Sequence, residues 1–232
     1  MRSPCSHLLA AVTAFALVAS ARADDPPPLK KGERIVFLGD SITQAGVRPK
    51  GYVTLVKQAL AEKHKDLSVE VIGAGISGNK VPDLQRRLDR DVLARKPTLV
   101  VIYIGINDVW HGENDPAKGT PIDKYEAGLK DVIQRIKDAG GRVVVCTPTV
   151  IGEKKPGTNK LDAKLDEYAE VSRKVAKETG SRLCDLRKAF QDHLTKSNPD
   201  DKDRGVLTSD RVHLSEAGNR LVADTVLAAI DN

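Results

Sequence analysis

The run Arg34-Ile35-Val36-Phe37-Leu38 is apolar and ends in Gly39-Asp40-Ser41. That sequence sets a hydroxyl at the carboxyl end of a strand, the edge where open α/β sheets bind ligands. A serine there reads two ways. Ser and Asp both cap helices well, so Ser41 can be purely structural. It can also be a nucleophile, in which case a base must take its proton. The chain has five histidines. His7 falls in an N-terminal leader, and His64, between Lys63 and Lys65, reads as an exposed helix end. His193 lies on a polar helix face, and His111 has no carboxylate at an orienting spacing. His213 differs, because Asp210 stands three residues before it. In a tight turn the Asp210 carboxylate can accept from Nδ1–H and leave Nε2 to face Ser41. By itself Asp-x-x-His also fits an ordinary polar turn.

Acyl transfer further needs donors aimed at the oxygen that becomes negative. The Ser41 N–H, the Gly78 N–H and the Asn107 side-chain amide are the candidates. Each alone is also explained as a cap or a turn. Their value lies in where the elements would put them.

Five apolar, strand-like runs are legible: Arg34–Leu38, Ser68–Ile72, Thr98–Ile104, Arg142–Cys146 and Arg182–Cys184. Between them lie stretches with apolar residues at helical spacing, as in Tyr52, Leu55, Val56, Ala59 and Leu60. Val81, Leu84, Leu88 and Val92 repeat the pattern, with Pro82 in a first turn where its missing N–H costs nothing. Further helices are expected after Thr120-Pro121 as a cap-plus-first-residue pair, from Leu161, around Phe190 and Leu194, and from Leu214 to Ile230. Gln44 to Lys50 reads as a loop. Gly73, Gly75 and Gly78 imply backbone shapes or close approaches that a side chain would forbid. Strict alternation of strand and helix predicts a single doubly wound α/β/α sandwich with a five-stranded parallel sheet. All loops after strands then share one edge, which brings Ser41, Gly78, Asn107 and His213 together.

Four blocks, Gly39-Asp40-Ser41-Ile42-Thr43, Gly75-Ile76-Ser77-Gly78-Asn79, Gly105-Ile106-Asn107-Asp108 and Asp210-Arg211-Val212-His213, resemble in order and spacing those of the SGNH (GDSL-type) esterases and lipases. The resemblance covers nearly all of the chain after the leader. It implies a flavodoxin-like fold over 34–232, Ser41 as nucleophile, His213 as base oriented by Asp210, and an oxyanion hole of Ser41, Gly78 and Asn107. It implies no cofactor. Many members carry Asn where this chain has Gly73. The Gly-x-Ser-x-Gly elbow of another hydrolase class is absent around Ser41.

Arg2, the apolar run Leu8 to Ala19 and the small-x-small Ala21-Arg22-Ala23 read as a secretory signal peptide over 1–23, too short for a membrane anchor. An exported, periplasmic or extracellular protein is therefore expected. Residues 24–33, with Pro26-Pro27-Pro28, form an expected exposed lead-in without core residues. The net charge of +5 includes Arg2 and Arg22 of the leader, and the remaining charges are scattered, so nucleic acid is not an expected partner. Cys146 and Cys184 read as buried free thiols on neighbouring strands. Histidines are not clustered at ligand spacing, which argues against a metal-dependent hydrolase. Aromatics are only 3% and no insertion could form a lid, so short acyl groups are favoured over long ones. Asp40, Trp110 and His111 are candidate substrate contacts. By analogy with exported family members the expected substrate is an O-acetylated carbohydrate. The alternatives are a lysophospholipase or acyl-thioesterase, or a non-catalytic glycan-binding module.

Overall fold

A computed structural model describes residues 28–231. The proposed leader and Pro26-Pro27 lie outside them. Five strands form one wholly parallel sheet in the order β2-β1-β3-β4-β5. They are β1 Arg34–Gly39, β2 Glu70–Gly75, β3 Leu99–Tyr103, β4 Arg142–Cys146 and β5 Arg182–Cys184. The central β1 and β3 are apolar and buried on both faces, as parallel strands covered by helices must be. Register sets Ile35 beside both Val71 and Leu99, and Cys146 beside Cys184. Both cysteines are buried free thiols, as expected.

The helices form two packed sets. The long helices α2 (Tyr52–Lys63), α7 (Leu186–Ser197) and α8 (Glu216–Asp231) pack in one, and α3 (Val81–Asp91), α5 (Ile122–Asp138) and α6 (Asp162–Glu178) in the other. Val81, Leu84, Leu88 and Val92 are all fully buried, so the periodicity identified the inward face of α3. No helix among the described residues is long and apolar enough to cross a membrane.

Several expectations need correction. A six-residue helix, α1 (Ser41–Gly46), starts before the expected loop and runs into it, and its N-cap is Asp40 rather than Ser41. It is too short to show periodicity. Strand β2 starts two residues later and runs on to Gly75, because its glycines are close approaches: a Cβ on Gly73 would stand 2.3 Å from Val47 Cγ1, and one on Gly75 2.1 Å from Gln44 N. The Val47 side chain thus fills the space an asparagine at position 73 would need. Thr120 is not the cap: Pro121 is the N-cap of α5, and no side chain caps that helix. Helix α8 begins at Glu216, not Leu214. The lead-in does reach the core, since Leu29 is buried and Glu33 pairs with Arg142 at 2.6 Å. His64 is half-buried rather than exposed, with Nε2 2.5 Å from Asp231 Oδ1.

Candidate active site

The sheet reverses its winding between β1 and β3, and the crevice at such a switch point is where open α/β folds bind ligands. Strand β1 delivers Asp40 and Ser41 there, β2 and its following turn deliver Gly78, and β3 delivers Asn107 on a five-residue helix, α4 (Ile106–Trp110). His213 arrives from outside the sheet. Thr208 and Leu214 form an antiparallel bridge, and Ser209 N–H donates to His213 O at 2.8 Å. Asp210 and His213 therefore sit at the tip of a small hairpin.

His213 Nε2 lies 2.9 Å from Ser41 Oγ, and His213 Nδ1 lies 2.7 Å from Asp210 Oδ2. The other Asp210 oxygen accepts the His213 and Val212 N–H groups at 2.7 and 3.1 Å. Arg211, between them, takes φ +87°, a left-handed conformation uncommon for a side-chain-bearing residue, which folds both N–H groups back onto the carboxylate. Partial burial works against the Asp210 charge. The N–H bonds and the imidazole outweigh it and hold the carboxyl below the usual aspartate range.

Gly78 has φ +76°, a turn that favours glycine. Neither its N–H nor that of Ser41 donates to another described residue. Asn107 is almost fully buried, and Nδ2 donates one hydrogen to Asn79 O at 3.1 Å. A second hydrogen on that nitrogen stays available. Ser41, Gly78, Asn107, Asp210 and His213 are thus brought to one edge.

Asp40 reaches the same edge but is 2% exposed, and its Oδ1 accepts the Ile42 N–H at 2.9 Å, so it caps α1. Burial pushes its carboxyl up to about 7 against the Ile42 bond, with the neighbouring Asp108 charge adding to the rise. Asp108 is likewise pushed up to about 6 by burial, although the Thr120 hydroxyl and the Val81 N–H pull the other way. Trp110 and His111 are exposed and line a cavity of about 620 Å³ with Lys80, Asn114 and Asp115. His111 Cε1 is 4.0 Å from where a Cβ on Gly78 would stand, so this cavity adjoins the Gly78 turn. Partial burial, then the Lys80 charge, lowers the His111 imidazole. Among the described residues no group of three His, Cys, Asp or Glu could hold a metal ion.

Two side chains that sequence reasoning passed over hold these pieces. Arg87 is buried on α3. It donates from Nη2 to Gly39 O at 2.8 Å and from Nε to Asn79 Oδ1 at 2.6 Å, tying the Ser41 turn to the Gly78 turn. Glu153, after β4, accepts backbone N–H groups from the stem of the His213 hairpin. An arginine inside the polar Gln85-Arg86-Arg87 and a glutamate beside Lys154-Lys155 carry no sequence signal for burial.

A hydroxyl, an imidazole and a carboxylate bonded in series, beside spare N–H donors at a parallel-sheet switch point, can perform nucleophilic acyl transfer. The chain belongs to the GDSL-like lipase/acylhydrolase family, whose model matches residues 37–221, and is a carboxylic ester hydrolase. It is similar to an acetylxylan esterase of Geobacillus stearothermophilus, 36% identical over 86% of this chain and 94% of that one. An isoamyl acetate-hydrolyzing esterase 1 homolog of Rattus norvegicus is 28% identical over 82% of this chain and 78% of that protein. The crystal structure of an acetyl xylan esterase superposes with TM-score 0.82 at 46% identity, covering 85% of this chain and 99% of the other.

Proposed function

We propose that this protein is an exported serine esterase that removes short acyl groups, foremost O-acetyl groups of a carbohydrate, with Ser41 as nucleophile. The observation that carries the reading is the unbroken series Ser41 Oγ, His213, Asp210, with contacts of 2.9 and 2.7 Å. His213 Nε2 takes the Ser41 proton as Oγ bonds to the ester carbon. The carbonyl oxygen becomes negative and is met by the Ser41 and Gly78 N–H groups and Asn107 Nδ2, each worth about a hundred- to a thousand-fold in turnover. The His213 imidazolium, held by Asp210, gives its proton to the departing sugar oxygen. Water, activated by the same imidazole, then attacks the acyl-serine, releases the carboxylic acid and returns the proton to Ser41.

Two acetylxylan-esterase relatives support a sugar as the leaving group. The cavity beside Gly78 supports it too, because Trp110 is the chain's one tryptophan and stands exposed there, offering an apolar ring face with a polar edge. The residues 1–23 support export by their charge, apolar run and small-x-small end.

The test is one panel: p-nitrophenyl acetate, butyrate and octanoate beside acetylated xylo-oligosaccharides, for wild type, Ser41→Ala and Trp110→Ala. Ser41→Ala should lose about a thousand-fold or more, with acetate the preferred acyl group. Trp110→Ala should lower the ratio of kcat/KM on the sugar to that on p-nitrophenyl acetate by about tenfold. A preference for octanoate would move the function to lipids or thioesters, and an active Ser41→Ala would sink the mechanism.

A further inference from the structure

The steps above make no direct use of Glu153, yet it is among the most buried charged-type side chains in the molecule, with no measurable exposure. The partners of its carboxylate are backbone N–H groups. Oε2 accepts from Val206 at 2.8 Å, and Oε1 accepts from Leu207 at 2.7 Å and also from Thr208. An isolated buried carboxylate is costly, whereas one that collects several N–H donors is held firmly and holds them in return.

What those three N–H groups belong to gives the arrangement its meaning. Thr208 opens the hairpin whose other side is Leu214 and whose tip carries Asp210 and His213. The same segment is gripped from behind by Ser215, whose N–H donates to Leu207 O at 2.8 Å and whose Oγ donates to Val206 O at 3.0 Å. The backbone beside Glu153 touches the tip itself, through Gly152 N–H on Arg211 O at 2.9 Å. Gly152 has φ +99°, and a Cβ there would stand 2.3 Å from Asn159 Oδ1. Side-chain amide Nδ2 of Asn198 completes the seat by donating to Glu153 O at 2.7 Å. A fixed path thus runs from the end of β4, through Glu153, to the imidazole beside Ser41.

We propose that Glu153 is a positioning residue for the reaction: its carboxylate sets the hairpin so that His213 Nε2 meets Ser41. The proposal rests on His213 being the base. The hairpin lies outside the sheet, so nothing in the strand ladder fixes its height above Ser41. A misplacement on the order of 1 Å at a reacting group costs about a hundred-fold.

Glu153→Gln and Glu153→Asp separate positioning by charge from mere filling of space. Glutamine matches the shape but turns an N–H2 towards N–H donors. Aspartate keeps two acceptor oxygens but is one methylene shorter. On p-nitrophenyl acetate the expected order of kcat is Glu, then Asp, then Gln, with Gln down about 10- to 100-fold and KM within about twofold. A purely structural role predicts the opposite order of the two variants, following their melting temperatures. Wild-type kcat in folded Glu153→Gln overturns the proposal. Should Glu153→Gln fail to fold, Glu153→Asp decides alone: kcat reduced at least about threefold with unchanged KM supports it, and wild-type kcat overturns it. Activity that survives His213→Ala would sink the assignment of His213 as the base and this proposal together. A dead His213→Ala beside fully active Glu153 variants would sink this proposal only.

Discussion

The two halves of the site are built by opposite means. The half that carries Ser41 grows out of the sheet, and its polar groups are deeply buried: Asp40 is 2% exposed and Asn107 4%. The half that carries His213 is a hairpin on the surface, with the side chains of Asp210 and His213 51% and 37% exposed. The same residue type is driven in opposite directions by these surroundings. Asp40, with one N–H partner and a neighbouring carboxylate, is pushed up to about 7, mainly by burial. Asp210 is less buried, and two N–H groups and an imidazole hold its carboxyl below the usual range. Each setting suits its work. In the proposed reaction the Ser41 turn must not move, and a sheet provides that. In the same reaction the His213 imidazole exchanges protons with an alcohol and with water, and exposure provides that.

The largest expected effect comes from the exposed half. Asp210→Asn keeps an oxygen for the Val212 and His213 N–H groups but cannot accept from Nδ1–H, so the ring loses the tautomer the reaction needs. Esterase kcat should fall about a thousand- to ten-thousand-fold with a melting temperature close to wild type. A large loss of stability instead would show that Asp210 holds the hairpin rather than the proton.

The buried half should answer in stability. Asp40 has a folded pKa of about 7 against an ordinary 3.8. The folded state therefore binds more protons than the unfolded one between pH 4 and 7, and stability falls as pH rises through that window. The ceiling on this effect is roughly 4 kcal/mol. Asp40→Asn retains the cap on Ile42, since Asn caps as well as Asp, and removes the charge. Its melting temperature should be flatter from pH 4 to 8 and higher than wild type at pH 8. A parallel pair of pH curves would show that Asp40 does not carry the strain assigned to it. Carboxyls with lowered values, such as Asp185 and Asp91, act in a separate window, losing their contribution as pH falls below about 4.

A smaller effect is expected at the clamp between the Ser41 and Gly78 turns. Arg87→Met keeps much of the packing volume but abandons Gly39 O and Asn79 Oδ1. A loss of about 2 kcal/mol is expected for hydrogen bonds from a charged donor, read by urea denaturation, with kcat lowered more than KM is raised. No change in kcat would show that β1 and the Gly78 turn keep their geometry without it.

Several parts of this molecule were legible in its sequence because they are local. Apolar runs and helical spacing marked the five strands and the inward face of α3. Gly39-Asp40-Ser41, Gly78, Asn107 and Asp210-x-x-His213 were legible because each sits just after a strand or just before a helix, where order along the chain predicts place in the fold. Helix α1 escaped because six residues cannot display a period, and β2 was cut short because its glycines resemble a loop until Val47 and Gln44 are seen against them.

The chain order of residue types thus determined the sheet and the edge at which Ser41, Gly78, Asn107 and His213 meet, since backbone periodicity and short-range spacing act within a few residues. Only tertiary structure decided what keeps those groups in register. Arg87 reaches Gly39 across 48 positions and Glu153 reaches Val206 across 53. Folding buries Asp40 and makes it the cap of α1. Such roles come from the cost of leaving a buried charge unpaired, and that cost does not exist until the chain has closed around it.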